Sequence, residues 1–332
     1  MVASVAVAAS ETVRGRTTPE LDGIDRATLV ADDGLTFRDF RRRLTPRWGV
    51  LWAQIALGFV GLAAAMAIPC LTRDAGLAGA AAGTIAGAVG IGVALAYLGN
   101  FFHEAAHWNL APTRAWNDRL ANLLIGPLIL QDVEHYRRVH FTHHRHLGTP
   151  EDQEYTYVRP LDLWFVVSGL TGIAVLETLS RPAPQNGGRR LTRRALAASL
   201  GVHGGVLAVA ALAGQWTLVL AWLGGAGAIM PFVAALRTLL EHRDLAARPG
   251  VDYRRVPHGA VNRLFGDGPL ARVLGSAGFN RHLLHHWEPQ VSCTRLADLE
   301  RFLLRTPAAD DVRRHRTTYA ATFLGLLRAR DV

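Results

Sequence analysis

The chain of 332 residues has no lysine. All 36 of its basic side chains are arginine, and alongside abundant alanine and glycine this reflects a GC-rich genome. The formal charge of +9 therefore says little about nucleic acid, and neither a basic stripe interleaved with aromatics nor a nucleic-acid motif is present. Cysteine is nearly absent. Cys70 and Cys293 are too few and too far apart for a disulfide framework or an iron–sulfur quartet, and both read as structural. An H-P-G-G haem signature and a dinucleotide-binding G-x-G-x-x-G after a strand are also missing. The opening MVASVAVAAS is apolar but lacks a basic start, which predicts a mobile leader in place of a cleaved signal peptide.

What the chain has in quantity is apolar sequence, half of its residues, gathered in long blocks. A spanning helix needs roughly 20 apolar residues. Val50–Leu71 and Ala75–Gly99 both qualify and form one hairpin; Ala195–Ala213 and Trp216–Leu240 form a second. Gly79, Gly83 and Gly87 recur every fourth residue, giving a smooth strip for a neighbouring helix, although an abundance of small residues accounts for the same pattern. Leu120–Leu130 is too short to cross. Leu161–Leu179 is long enough but carries Asp162 and Glu177. Arginines precede each hairpin (Arg38, Arg41, Arg42, Arg43 and Arg47; then Arg181, Arg189, Arg190, Arg193 and Arg194), and arginine-rich short loops stay cytoplasmic. If Leu161–Leu179 crossed, the second cluster would face outward, so this block is expected to lie in the interface or to form a shallow re-entrant segment. The expectation is an all-α integral membrane protein of two transmembrane hairpins. Its polar parts form a cytoplasmic cap, with a basic juxtamembrane segment over 1–47, a membrane domain over 48–305 and a C-terminal surface helix over 306–332.

The fourteen histidines are the strongest signal. HEAAH (His103–His107), HFTHH (His140–His144) and HLLHH (His282–His286) all fall on the same predicted face. Helical positions i, i+3 and i+4 share a side, so each cluster can aim several ring nitrogens at one place just beyond the lipid. HEAAH alone also fits the zinc-protease pattern H-E-x-x-H. A catalytic zinc takes three protein ligands and a water, which eight imidazoles overfill, so two metals are implied. Imidazole suits zinc, copper, iron and nickel alike. His203, inside a span, is expected to bond a neighbouring backbone group. His258 and His315 read as surface residues, and His135 and His146 lie outside the cluster spacing.

These three clusters, with YRRVHFTHHRHLGTPEDQEY around the second and FNRHLLHH at the third, resemble the integral-membrane fatty acid desaturase and hydroxylase superfamily over about residues 50 to 290. The resemblance implies four spanning helices beneath a cytoplasmic cap. It also implies a di-iron site held by His103, His107, His140, His143, His144, His282, His285 and His286, with His242 of LLEH as a ninth ligand. Glu104, Asp152, Glu241 and Asn280 are the expected hydrogen-bond partners of the ligating imidazoles. The implied reaction is O2-dependent desaturation of a lipid acyl chain; hydroxylation or ketolation of another lipid, such as a carotenoid or alkane, is the alternative. A zinc intramembrane protease ranks third. The expected partners are membrane lipid and a separate electron carrier such as a ferredoxin, not nucleic acid. The expected location is the bacterial inner membrane, with the site on its cytoplasmic face.

Overall fold

A computed structural model describes residues 21, 23–180, 192–248, 250–257 and 260–329. The expected leader, Arg181, Arg189, Arg190 and His258 lie outside the described residues. Among those described there is no strand, only the isolated bridges Val30 to Thr36 and Leu264 to Arg316. The short helix α1 (Phe37–Arg42) precedes the first hairpin, α2 (Trp48–Thr72) and α3 (Gly76–Ala106). Next come α4 (Arg114–Leu120), α5 (Val133–His146), α6 (Leu163–Leu170) and α7 (Ile173–Ser180). The second hairpin is α8 (Arg193–Leu212) and α9 (Trp216–His242), the latter continuous through a π-turn at Gly225–Ile229. The cap closes with α10 (Pro269–Val273), α11 (His282–Trp287), α12 (Leu296–Leu303), α13 (Ala309–Arg314) and α14 (Tyr319–Arg328).

Among the described residues only α2, α3, α8 and α9 are long and apolar enough to span, and between 17% and 39% of their most apolar windows is buried inside the protein. The exposed remainder includes Leu57, Val60, Leu71, Leu77, Ile85, Leu200, Val209, Leu212 and Leu220, the apolar side chains that lipid would cover. The two uncertain blocks do not cross. Leu120–Leu130 breaks into the end of α4, a π-turn and a 3-10 turn that stops at left-handed Leu130, and Leu161–Leu179 is divided between α6 and α7 by Gly172 at φ +76°. Each of these two helices has eight residues, about 12 Å of rise, against a hydrocarbon core of about 30 Å.

Helix α3 is the axis of the bundle, packing against both α2 and α9. Close approach depends on its glycines. A Cβ on Gly87 would lie 2.7 Å from Pro69 Cδ, and one on Gly92 would lie 2.4 Å from Ile229 Cβ. Gly83 likewise faces Thr72, whereas Gly79 meets only Ala75 of its own helix end. With 31 residues α3 is about 46 Å long, so its last turns, carrying His103, project beyond the hydrocarbon. His203 Nδ1 accepts the indole N–H of Trp222 at 3.1 Å, and the ring also interacts with the backbone of Leu128 and Pro127, as expected.

The segment before α2 packs on the cap: Phe40 stacks on Phe302 at 4.3 Å and Phe37 lies 5.3 Å from Trp287. In α14, Tyr319 and Leu326 are buried with Leu239 and Phe265, while Leu324 faces outward.

Candidate metal centre

Four elements meet at one end of the bundle. Helix α3 supplies His103 and, at its C-cap, His107; α5 supplies His140, His143 and His144; α9 ends at His242; and α11 carries His282, His285 and His286. Asp132 starts α5 by accepting His135 N–H at 3.0 Å. Before α11 the chain kinks at Ala277 and Gly278, both at positive φ, and a Cβ on Gly278 would lie 2.6 Å from Leu296. That tight turn sets the angle at which α11 enters.

All nine imidazoles are buried and form two groups. His103, His107, His140, His144 and His285 converge in one; His143, His242, His282 and His286 converge in the other. The groups interleave for a helical reason. At 100° per residue, i and i+4 differ in direction by about 40°, whereas i+3 lies about 60° to the other side. His140 and His144 accordingly share one group and His143 crosses to the other, while His282 and His286 share the second and His285 crosses to the first.

Within the five-membered group, His140 Nε2 is 2.9 Å from the Nε2 of both His107 and His144, and His144 Nε2 is 3.1 Å from His285 Nε2. In the other, His282 Nε2 is 2.9 Å from His242 Nε2 and 3.1 Å from His286 Nε2. At a metal–nitrogen distance of about 2.1 Å, ligands at right angles stand roughly 3.0 Å apart and tetrahedral ones roughly 3.4 Å. These are the shortest contacts; all ligand atoms of each group lie within 4.8 Å of one another, close enough to share one ion. Both nitrogens of His103 are buried with no hydrogen-bond partner, as are the Nδ1 atoms of His107, His144, His282 and His286. Burial holds His107, His144, His282, His285 and His286 well below the usual imidazole range, so each keeps the lone pair a metal requires. The two clusters could each hold a metal ion.

Carboxylates fix two of the rings. Asp152, wholly buried, accepts from His143 Nδ1 at 2.9 Å, from Glu154 N–H at 2.8 Å and from the Tyr157 hydroxyl, which in turn accepts Gly148 N–H. Glu154 accepts from His140 Nδ1 at 3.0 Å. An ionised carboxylate only accepts, so the proton sits on Nδ1 and each Nε2 faces its group. Burial lowers the His143 imidazolium, but the charges of Asp152 and Glu154 more than reverse this and hold it up at about 9. Burial raises Glu154, and the imidazoles of His140 and His143 overcome that and bring it to about 2.

The other three expected partners go elsewhere. Glu104 accepts the Cys293 N–H at 2.9 Å and stays 3.9 Å from His103 Nδ1, because the next residue on a helix points about 100° away. Glu241 takes Arg237 at 2.9 and 3.1 Å and remains 3.9 Å from His282 Nε2. Asn280 donates to Gly266 O at 2.8 Å. His242 Nδ1 faces Val261 O at 3.4 Å. His135 lies beside Arg138, and His315 Nδ1 donates to Asp311 O at 2.7 Å, both away from the two groups. Sequence reasoning missed Glu154, Tyr157 and Arg237, although Glu154 stands in the quoted PEDQEY stretch and Tyr157 lies two residues beyond its end. A small cavity with room for about one water molecule opens between the histidine groups, lined also by Tyr136, Glu154, Arg237, Glu241 and Phe279. Phe279 forms part of its wall, 4.4 Å from the His103 ring and stacked 5.1 Å from His282, with the Arg237 guanidinium 3.7 Å above it.

No curated protein matches the sequence. The family model described as fatty acid desaturase matches residues 75–318, which include both histidine groups and three of the four spanning helices. The chain therefore belongs to the fatty acid desaturase family and is a membrane oxidoreductase of the desaturase/hydroxylase type.

Proposed function

We propose that the protein is an O2-dependent di-iron desaturase that introduces a carbon–carbon double bond into a lipid acyl chain. The observation that carries this reading is the division of nine buried histidines into adjoining groups of five and four, the ligand atoms of each group within 4.8 Å of one another and the nearest pairs near 3 Å apart. Such a set exceeds what zinc takes and suits two ions of higher coordination number, which argues against the protease reading. His103, His107, His140, His144 and His285 would hold one iron, and His143, His242, His282 and His286 the other. When bound, the two irons supply reductive activation of dioxygen, enough to take hydrogen from an unactivated methylene. Overall, two hydrogens leave adjacent carbons, and with two electrons from a carrier and two protons they convert dioxygen to two waters.

The chain's own residues contribute position and dryness. Asp152 and Glu154 lock the His143 and His140 rings, Tyr157 holds Asp152, and Phe279 closes the wall shared by both groups. Errors near 1 Å in the placement of the reacting carbon are costly. Arginines preceding α2, together with Arg193 and Arg194 at the start of α8, favour a cytoplasmic site in an inner membrane. The same arginines would steer an acidic carrier such as a ferredoxin. We assign the catalytic unit to 48–305, flanked by 1–47 and 306–332.

The test is product analysis. Lipids from cells with and without the protein should differ by loss of two hydrogens from an acyl chain. A gain of one oxygen would make the protein a hydroxylase or ketolase instead.

A further inference from the structure

Helix α3 ends immediately before His107, and the way it ends is unusual. Trp108 N donates to Ala105 O at 3.1 Å and Asn109 N to Glu104 O at 3.0 Å. This is the paired hydrogen-bond pattern of a Schellman stop, in which the residue after the C-cap is left-handed and normally glycine. Here it is Trp108, at φ +59°. A bulky side chain is disfavoured in that region unless its surroundings hold it there.

Those surroundings are specific. The Trp108 ring lies between two guanidinium groups, with Arg114 and Arg137 each 4.3 Å from its centroid. Arg137 does more than stack. Its Nε donates to Ala106 O at 2.8 Å and its Nη2 to Ala105 O at 3.0 Å, while Asp118 takes the far side of the guanidinium at 2.5 and 3.2 Å. From α4, Asn117 Nδ2 also donates to Ala105 O at 2.9 Å, and its Oδ1 accepts Leu110 N–H at 2.8 Å. Ala106 O, beyond the reach of the helix, is thus capped by Arg137, and Ala105 O, which already accepts the Trp108 N–H, takes added bonds from α4 and α5. Arg137 sits three residues before His140 on α5, and the carbonyls it binds directly precede His107. One planar group therefore ties the two helices whose imidazoles approach to 2.9 Å. A lysine, with a single ammonium, cannot bind both carbonyls in plane and stack on the indole as well.

We propose that Arg137, held by Asp118 and stacked on Trp108, is a positioning residue that sets His107 against His140 and so builds the five-histidine metal position, leaving the four-histidine position untouched. This rests on the two-metal reading above. The experiment uses the full chain purified in detergent, loaded anaerobically with ferrous iron and measured for iron per chain and for its visible or Mössbauer signature. Wild type should hold two irons. Arg137→Gln should hold one, as should His286→Ala, which damages the other group; the double variant should hold none. Arg137→Lys should fall between wild type and Arg137→Gln, and Trp108→Gly, which relieves the backbone but removes the stack, should broaden the signature of the same iron.

Two irons with an unchanged signature in Arg137→Gln would overturn the proposal. So would a double variant that still holds one iron, since both changes would then act on a single position. Wild type holding fewer than two irons would instead refute the two-metal reading itself. Should Arg137→Gln fail to purify, Asp118→Asn decides the matter: it keeps Arg137 and an amide oxygen to accept from Asn117 Nδ2, and removes the charge on the far side of the guanidinium. It should weaken one iron by about tenfold, the scale of lost outer hydrogen bonds at metal sites, and an unchanged affinity would overturn the proposal.

Discussion

The two proposed metal positions should respond differently to pH. An imidazole binds metal through a deprotonated nitrogen. In the five-histidine group burial keeps His107, His144 and His285 far below their ordinary range, so near neutrality no proton competes with the ion there. In the four-histidine group His282 and His286 behave likewise, but Asp152 and Glu154 hold His143 at about 9 despite its burial. Below that pH His143 is an imidazolium, and its Nε2 proton must leave before metal can bind. Affinity at this position should therefore rise about tenfold per pH unit up to about 9 and then level off. Between pH 7 and 9 that is roughly a hundredfold, or about 3 kcal/mol. The metal-free protein should show the opposite trend. A pKa raised above the free value of 6.5 gives stabilisation that is complete below that pH and lost as pH rises through about 9. Chelator competition with ferrous iron under anaerobic conditions, from pH 6.5 to 9.5, measures both positions. Asp152→Asn, which keeps an acceptor for Nδ1 but removes the charge, should flatten the slope. Equal slopes at both positions, or a flat four-histidine position in wild type, would refute the reasoning.

Three further outcomes follow from the packing. Tyr157→Phe removes a donor to buried Asp152 and the acceptor of Gly148 N–H, so it should cost about 1–3 kcal/mol, read as a lower thermal midpoint in detergent. Gly92→Val forces a side chain into Ile229 and the Gly225 carbonyl where α3 and α9 touch, and should cost roughly 1–3 kcal/mol in the same assay. Trp222→Phe breaks the indole bond to His203 inside the bilayer, where such bonds contribute about 0.6 kcal/mol and at most about 1.7. A small loss of stability with unchanged iron content is expected, and loss of iron would give His203 a role that its position does not suggest.

The histidine constellation was legible because ligand geometry forces residue spacing: an imidazole that must share a target with another on the same helix stands three or four positions away. The spans were legible for an equally direct reason, since a bilayer core sets a minimum apolar length. What the spacing could not reveal was that each H-x-x-H-H run serves two targets. That follows from the 100° between i+3 and i+4 only once the partner helices are in place. The partners of the rings were harder still. Asp152 and Glu154 reach His143 and His140 from the segment after the Gly148 turn, and the path of that turn carries no periodic signal. Glu104, adjacent to His103 in sequence, is turned away from it by the helix. Arg137 and Trp108 were invisible for a related reason: a helix end capped from two other helices leaves no local pattern, and a tryptophan in a glycine position reads as ordinary sequence.

The central claim is that three distant segments and the end of α9 enclose a pair of irons. Elemental analysis of the purified full chain tests it most directly. The account predicts close to two irons per chain, falling to about one when either His285 or His286 is replaced by alanine. Zinc at close to one per chain, with iron absent and unaffected by those replacements, would contradict it.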